Sequence, residues 1–195
     1  MARRAGITRK QVVDAAVSLA DRDGLSAVSL ATVAAAVGVR SPSLYAHVEG
    51  VRGLRRDLAL RANQLLAQRL AAAAEGHRDP EQALRALGHA YRAFALEHPG
   101  LYASLLPVPR PDQDPEGAAV AAETVAVTAA VLAELGITPE RHVDLIRALR
   151  AMLHGFVDLE LGGGFGLKDP VEASFGTALD LVVGAMAGLG RRRSG

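Results

Sequence analysis

The stretch from Ser29 to Val48, SLATVAAAVGVRSPSLYAHV, restricts the fold more than any other part of the chain. Leu30, Val33, Ala34 and Val37 recur at i, i+3, i+4 and i+7, the apolar stripe of a short helix. Ser29 stands where a hydroxyl can cap the first free N–H groups. Gly38 stands where a left-handed residue ends a helix without a Cβ clash. The chain then restarts, with Ser41 placed as a cap and Pro42 at the first helical position, where its missing N–H costs nothing. The second helix is expected to bury Leu44 and Val48 and to leave Ser41, Pro42, Ser43, Tyr45, Ala46 and His47 on or near an open face. Two short helices across a tight glycine turn make a helix-turn-helix; the same spacing also suits two helices of an ordinary bundle.

The open face separates these readings. It carries hydroxyls, a tyrosine and a histidine, with no acidic side chain between Arg40 and Val48, as a phosphate-facing surface requires. The charge distribution points the same way. Residues 1–60 hold nine basic and five acidic side chains, +4, in a chain whose net charge is +1. A basic segment coinciding with a helix-turn-helix is the electrostatic footprint of a nucleic-acid binder; the competing reading is chance clustering on a solvated surface.

The string Pro42-Ser43-Leu44-Tyr45-x-His47-Val48 is similar to the recognition-helix signature of the TetR family of transcriptional repressors. The resemblance runs from about Thr8 to about Leu66, in a family-type domain of about 8–68. It takes in the helical start TRKQVVDAAVSLADRDG, the motif helices SLATVAAAVGV and SPSLYAHV, and a long basic-edged helix after them. It implies an all-α homodimer that represses transcription until a small ligand binds the C-terminal domain. The implied partners are a palindromic double-stranded DNA operator and a largely apolar small-molecule inducer, with no cofactor.

In a major groove, Ser41 and Ser43 can hydrogen-bond to base edges, while Pro42 and Ala46 offer apolar contact to thymine methyls. Tyr45, His47, Thr8, Arg9 and Arg52 are expected at phosphates, and Ser29 and Arg40 complete the candidate DNA-binding set. Related proteins often carry a phosphate-reaching lysine close to the place of Val51, so this contact is expected either to pass to Arg52 or to be lost. No arginine or glutamine lies on the reading face, so a share of the readout is expected from water and DNA shape. Arg3 and Arg4 read either as an arm reaching the minor groove or phosphates or as a solubilising tail.

Half of the residues are hydrophobic but only 4% are aromatic, so the core must be built from alanine, leucine and valine, which favours close-packed helices. Cysteine is absent, which removes disulfide and thiolate chemistry. No signal peptide is read at the N-terminus, and no charge-free apolar run reaches about 18 residues, so a cytoplasmic protein without a membrane span is expected.

Three parts are expected: a DNA-binding domain over 1–50, a linking helix over 51–76, and a helical regulatory and dimerisation domain over 77–195. Thr8 and Gln11 have capping-box spacing, and Val12, Ala16, Leu19 and Ala20 form the buried stripe of a helix ended by Gly24. Val51, Leu54, Leu58, Ala62 and Leu65 run along the linking helix. Further helices are expected over about 80–97, 117–135, 139–161 and 171–189, separated by turns and by the proline-rich loop PVPRPDQDP. Thr138 and Pro139 cap the third of these, whose stripe is Leu145, Leu149, Met152 and Phe156.

Residues 148–165 resemble a C-terminal subclass of the family marked by a Trp-His-Gly triplet, read here as Leu153-His154-Gly155. The resemblance implies dimerisation through helices at about 140–161 and 171–189. A helical ligand domain needs an apolar cavity with a few orienting polar groups, and the candidates are His89, Tyr91, Phe94, Tyr102, His154, Phe156, Asp158 and Phe165. His154 and Asp158 are i, i+4 on one helix, as inducer anchor, half a metal site or an internal pair. The rival reading is a helical ligand- or metal-binding protein, or an enzyme, using this pair with the helix-turn-helix as scaffold. Against an enzyme, the chain has no P-loop, nucleophile elbow, His-Glu-x-x-His or dinucleotide fingerprint.

Overall fold

The computed structural model describes residues 6–191, which are helical with no strand among them. Arg3, Arg4, Arg192 and Arg193 lie outside the described residues. The helices are α1 (Arg9–Asp23), α2 (Leu30–Ala36), α3 (Gly50–Ala74), α4 (Pro80–Glu97), α5 (Pro99–Ala103), α6 (Pro115–Glu134), α7 (Pro139–Leu161) and α8 (Val171–Arg191). Two 3₁₀ segments, Leu25–Ala27 and Ser41–Ala46, lie either side of α2. The chain divides into two compact units. One runs through Asn63 and resumes over Glu97–Val120; the other takes Gln64–Leu96 and the chain from Ala121 onward.

In the first unit, α1 opens on a capping box: the Gln11 N–H donates to Thr8 Oγ1 at 3.2 Å and the Thr8 N–H to Gln11 Oε1 at 2.9 Å. Its buried residues are the four of the expected stripe, and Gly24 ends it with φ 85°. Ser29 caps α2 through a second box with Thr32, at 3.1 and 3.0 Å. Gly38, at φ 71°, ends that turn by donating to Ala35 O while Val39 donates to Ala34 O. Residues 97–120 belong with this unit, where α5 packs on α1 and the first 3₁₀ segment. Asp21 near the end of α1 accepts the N–H groups of Gly100 and Leu101, both at 3.0 Å, and meets His98 Nδ1 at 2.8 Å.

The recognition element differs from its expected form. It is 3₁₀ rather than α: Ser43 N–H donates to Arg40 O and His47 N–H to Leu44 O, one residue shorter than an α-helical bond. The N-cap is Arg40, with no side-chain cap, so Ser41 is not the cap. In α3, Leu54, Leu58, Ala62 and Leu66 are buried, while Val51 is exposed and Leu65 half-buried.

In the second unit, α4 meets α7 through Arg92 and Glu160 and α8 through Arg85 and Asp180. Leu84, Leu87 and Phe94 are buried from α4, Leu149, Leu153 and Val157 from α7, and Phe175, Leu179, Val183 and Met186 from α8. The α7 stripe therefore continues from Leu149 through Leu153 and Val157 rather than Met152 and Phe156, which are half-buried. Gly136, at φ 76°, closes α6 with a Schellman pair, donating to Ala133 O while Ile137 donates to Leu132 O. Thr138 occupies the N-cap of α7 without a side-chain bond. Arg191 pairs with Glu81 at 2.6 Å.

By length and composition, α6 and α8 are long and apolar enough to cross a membrane. Each holds an acidic residue mid-helix, Glu123 and Asp180, costly in hydrocarbon, and Asp180 accepts from Arg85 Nε at 2.6 Å.

Candidate nucleic-acid interface

The 3₁₀ segment presents its face because two side chains hold it from behind. Leu44 is fully buried and Val48 nearly so, which turns Pro42, Ser43, Tyr45 and Ala46 outward, with Tyr45 65% exposed. Ser41 and His47 are half-buried at its edges, and Arg40 and Arg52 are exposed beside it. The hydroxyls of Thr8 and Ser29 serve their capping boxes.

Beside this face lies a pocket of about 320 Å³ lined by Arg9, residues 45–49, Gly53, Arg56 and Asp57. Arg9 is gripped in it by Asp57: Nε donates to Oδ2 at 3.0 Å and Nη2 to Oδ1 at 2.5 Å. The Arg9 side chain is 61% exposed and Asp57 only 6%, so a buried carboxylate holds a guanidinium whose other edge faces solvent. The hydrogen bond and charge of Asp57 raise the Arg9 pKa. Arg56, and not Arg52, lines this pocket, and it too is paired, with Asp114 and Glu116. Neither Asp57, Asp114 nor Glu116 carries a local sequence signal, because the pairs span 48 to 60 residues.

The ligand candidates are distributed over both units. Tyr102 is buried in α5 of the first unit. In the second unit Tyr91 and Phe94 are buried, Phe94 beneath Arg69 at 5.7 Å from its ring centroid, while His154 is half-buried and Asp158 exposed. His89 and Phe156 meet edge-on around Phe175, at 5.4 and 5.2 Å, and Phe165 stacks on Phe156 at 4.7 Å. Arg92 lies 5.0 Å over Phe175, paired with Glu160 at 2.6 Å and with Glu172. Phe175, Arg92, Glu160 and Glu172 were not among the sequence candidates: Phe175 reads as core, and the charged pairs bridge helices far apart in sequence. Among the described residues, no group of three or more His, Cys, Asp or Glu side chains is placed to hold a metal ion.

Residues 84–182 match the family model described as the tetracyclin repressor-like C-terminal domain. The HTH-type transcriptional regulator YobS of Bacillus subtilis is 38% identical over 176 residues, 89% of this chain and 90% of that protein. The chain belongs to the TetR family of transcriptional regulators. The HTH-type regulator Rv0681 of Mycobacterium tuberculosis is 31% identical over 98% of this chain and 86% of its own length. A TetR variant from Acinetobacter baumannii AYE, solved with minocycline, has the same fold, with a TM-score of 0.73 at 24% identity over 94% of this chain and 98% of that one. The matched C-terminal domain contains the aromatic group around Phe175.

Proposed function

We propose that this regulator is a cytoplasmic repressor, not an enzyme, acting as a homodimer on a palindromic operator and released from it by a small, largely apolar ligand. The observation that carries the reading is the outward face of Ser41–Ala46, free of carboxylates and pinned by buried Leu44. Ser41, Pro42, Ser43 and Ala46 read base edges. Tyr45, His47, Thr8, Arg9 and Arg52 set the register on phosphates, with Ser29 and Arg40 at the same surface.

Dimerisation uses α7 and α8. Ala148, Ala151, Gly155 and Leu159 make an exposed face of small and apolar residues on α7, and Thr177, Leu181 and Ala185 one on α8, with Leu181 71% exposed. Small residues let helices approach closely. The ligand binds in the matched domain, where His89 and Phe156 meet Phe175 and Phe165 lies on Phe156, with Tyr91, Phe94, His154 and Asp158 on the same helices. The minocycline bound by the Acinetobacter protein of the same fold supports a small-molecule ligand. Relief requires the ligand to bind a conformation with misplaced recognition elements more tightly than the DNA-bound one.

The test is a mobility shift on DNA upstream of the regulator's own gene, across a salt series with competitor DNA. A discrete, competitor-resistant complex is expected. Tyr45→Phe should weaken binding to every sequence alike, by roughly 3- to 10-fold for one lost phosphate hydrogen bond. A changed sequence preference in that variant sinks the phosphate assignment, and binding that vanishes uniformly with competitor sinks the regulator's specificity.

A further inference from the structure

Arg56 lines the same pocket as Tyr45, Ala46 and His47, yet its guanidinium is already occupied. Nε donates to Asp114 Oδ2 at 2.8 Å, and Nη2 donates to Asp114 Oδ1 and to Glu116 Oε2, both at 2.7 Å. With Asp57 on Arg9, two arginines meet three carboxylates, one negative charge in excess, and Glu49 adds another at the pocket wall. A DNA phosphate entering here therefore meets competing anions rather than open cations.

The position of Asp114 is held firmly. Its carbonyl accepts the Ala118 N–H and its Oδ1 the Gly117 N–H, both at 2.9 Å, so it caps α6. A Cβ on Gly117 would lie 2.5 Å from Asp114 Oδ2, so the glycine keeps room for the carboxylate. Arg56 and Asp114 shift each other in the sense a true ion pair requires, the arginine pKa upward and the aspartate pKa downward.

We propose that Asp114 and Glu116 form an acidic latch on Arg56 that withholds it from the DNA backbone and so holds down affinity for all sequences. The inference rests on the DNA-binding reading above. When the latch opens, a phosphate oxygen replaces the carboxylates on the guanidinium. Binding then gains one phosphate contact and its salt dependence.

Asp114→Asn and Glu116→Gln isolate charge from shape, and asparagine still caps a helix. Fluorescence anisotropy on an operator duplex and a scrambled duplex, over a salt series, reads both affinity and slope. The double variant should bind both duplexes about tenfold tighter, with a log–log salt slope steeper by about 0.9. Arg56→Gln in that background should abolish the gain, whereas Arg56→Gln alone should change affinity less than about twofold, because the wild-type arginine is withheld. Unchanged or weaker binding by a double variant that is still fully folded at the assay temperature overturns the latch, as does a large loss from Arg56→Gln alone. Wild-type protein that binds neither duplex at low salt overturns the DNA reading, and the latch with it.

Discussion

Replacing Gly100 by alanine probes the junction of α5 with α1. A methyl group there would lie 2.5 Å from the backbone nitrogen of Asp21 and closer still to the carbonyl carbon and oxygen of Ala20. These are main-chain atoms inside a helix and cannot rotate aside. Relief requires α5 to retreat by roughly 1 Å, because a close-packed interior has no void to take the methyl. That retreat stretches the bonds from Gly100 and Leu101 to Asp21. Overpacking costs about 1–3 kcal/mol, and a weakened hydrogen bond to a charged acceptor about 1.5–3 kcal/mol. A loss of about 3–5 kcal/mol, at about 2–4 °C per kcal/mol, lowers the melting temperature by roughly 6–20 °C. Two controls set the scale. At Gly88 the added Cβ meets Leu179 Cδ1 at 2.6 Å, but a leucine can repack, so about 1–2 kcal/mol is expected. At Gly176 nothing lies within 4 Å, and alanine should be neutral or stabilising by up to about 1 kcal/mol through helix propensity. Thermal melts followed by far-UV circular dichroism should rank the variants in that order. A Gly100→Ala protein melting within about 2 °C of wild type would refute the reasoning, since overpacking alone predicts more.

Leu181→Glu should convert the proposed dimer to monomer in light scattering, by placing charge on an exposed apolar face of α8; a persisting dimer moves the interface elsewhere. Acid should selectively erase the contribution of Asp114, whose carboxyl is held below its ordinary range by Arg56 and the Gly117 N–H. A depressed native pKa gives stability that is complete above the unfolded value of about 3.9 and fades as the pH falls through the native one. The melting-temperature gap between wild type and Asp114→Asn should therefore be full near neutrality and close in acid; a gap that ignores pH rules out a charge effect.

Much of the candidate interface was legible because its determinants are local. The Thr8–Gln11 box, the Ser29 cap, the stops at Gly24, Gly38 and Gly136 and the buried stripe of α1 each rest on residues within a turn or two of one another. The outward set around Tyr45 followed from Leu44 and Val48, since two anchors four residues apart define a back face. The winding of that segment did not follow: α and 3₁₀ geometry differ by one residue in the hydrogen-bond partner, a difference that apolar spacing over one turn does not record. The α7 stripe was misplaced for a related reason. Apolar residues stand on both sides of that helix, and only its neighbours show which side is core.

Sequence by itself determined the all-helical class, the helix-turn-helix and where most helices begin and end, because caps, glycine stops and apolar periodicity are short-range effects. Tertiary structure alone decided that residues 97–120 join the first compact unit, that Arg9 and Arg56 are both held by carboxylates, and that His89 and Phe156 meet Phe175 while Phe165 lies on Phe156. Those pairings join residues tens of positions apart, and chain order carries no record of which distant side chains the packing brings within reach of one another.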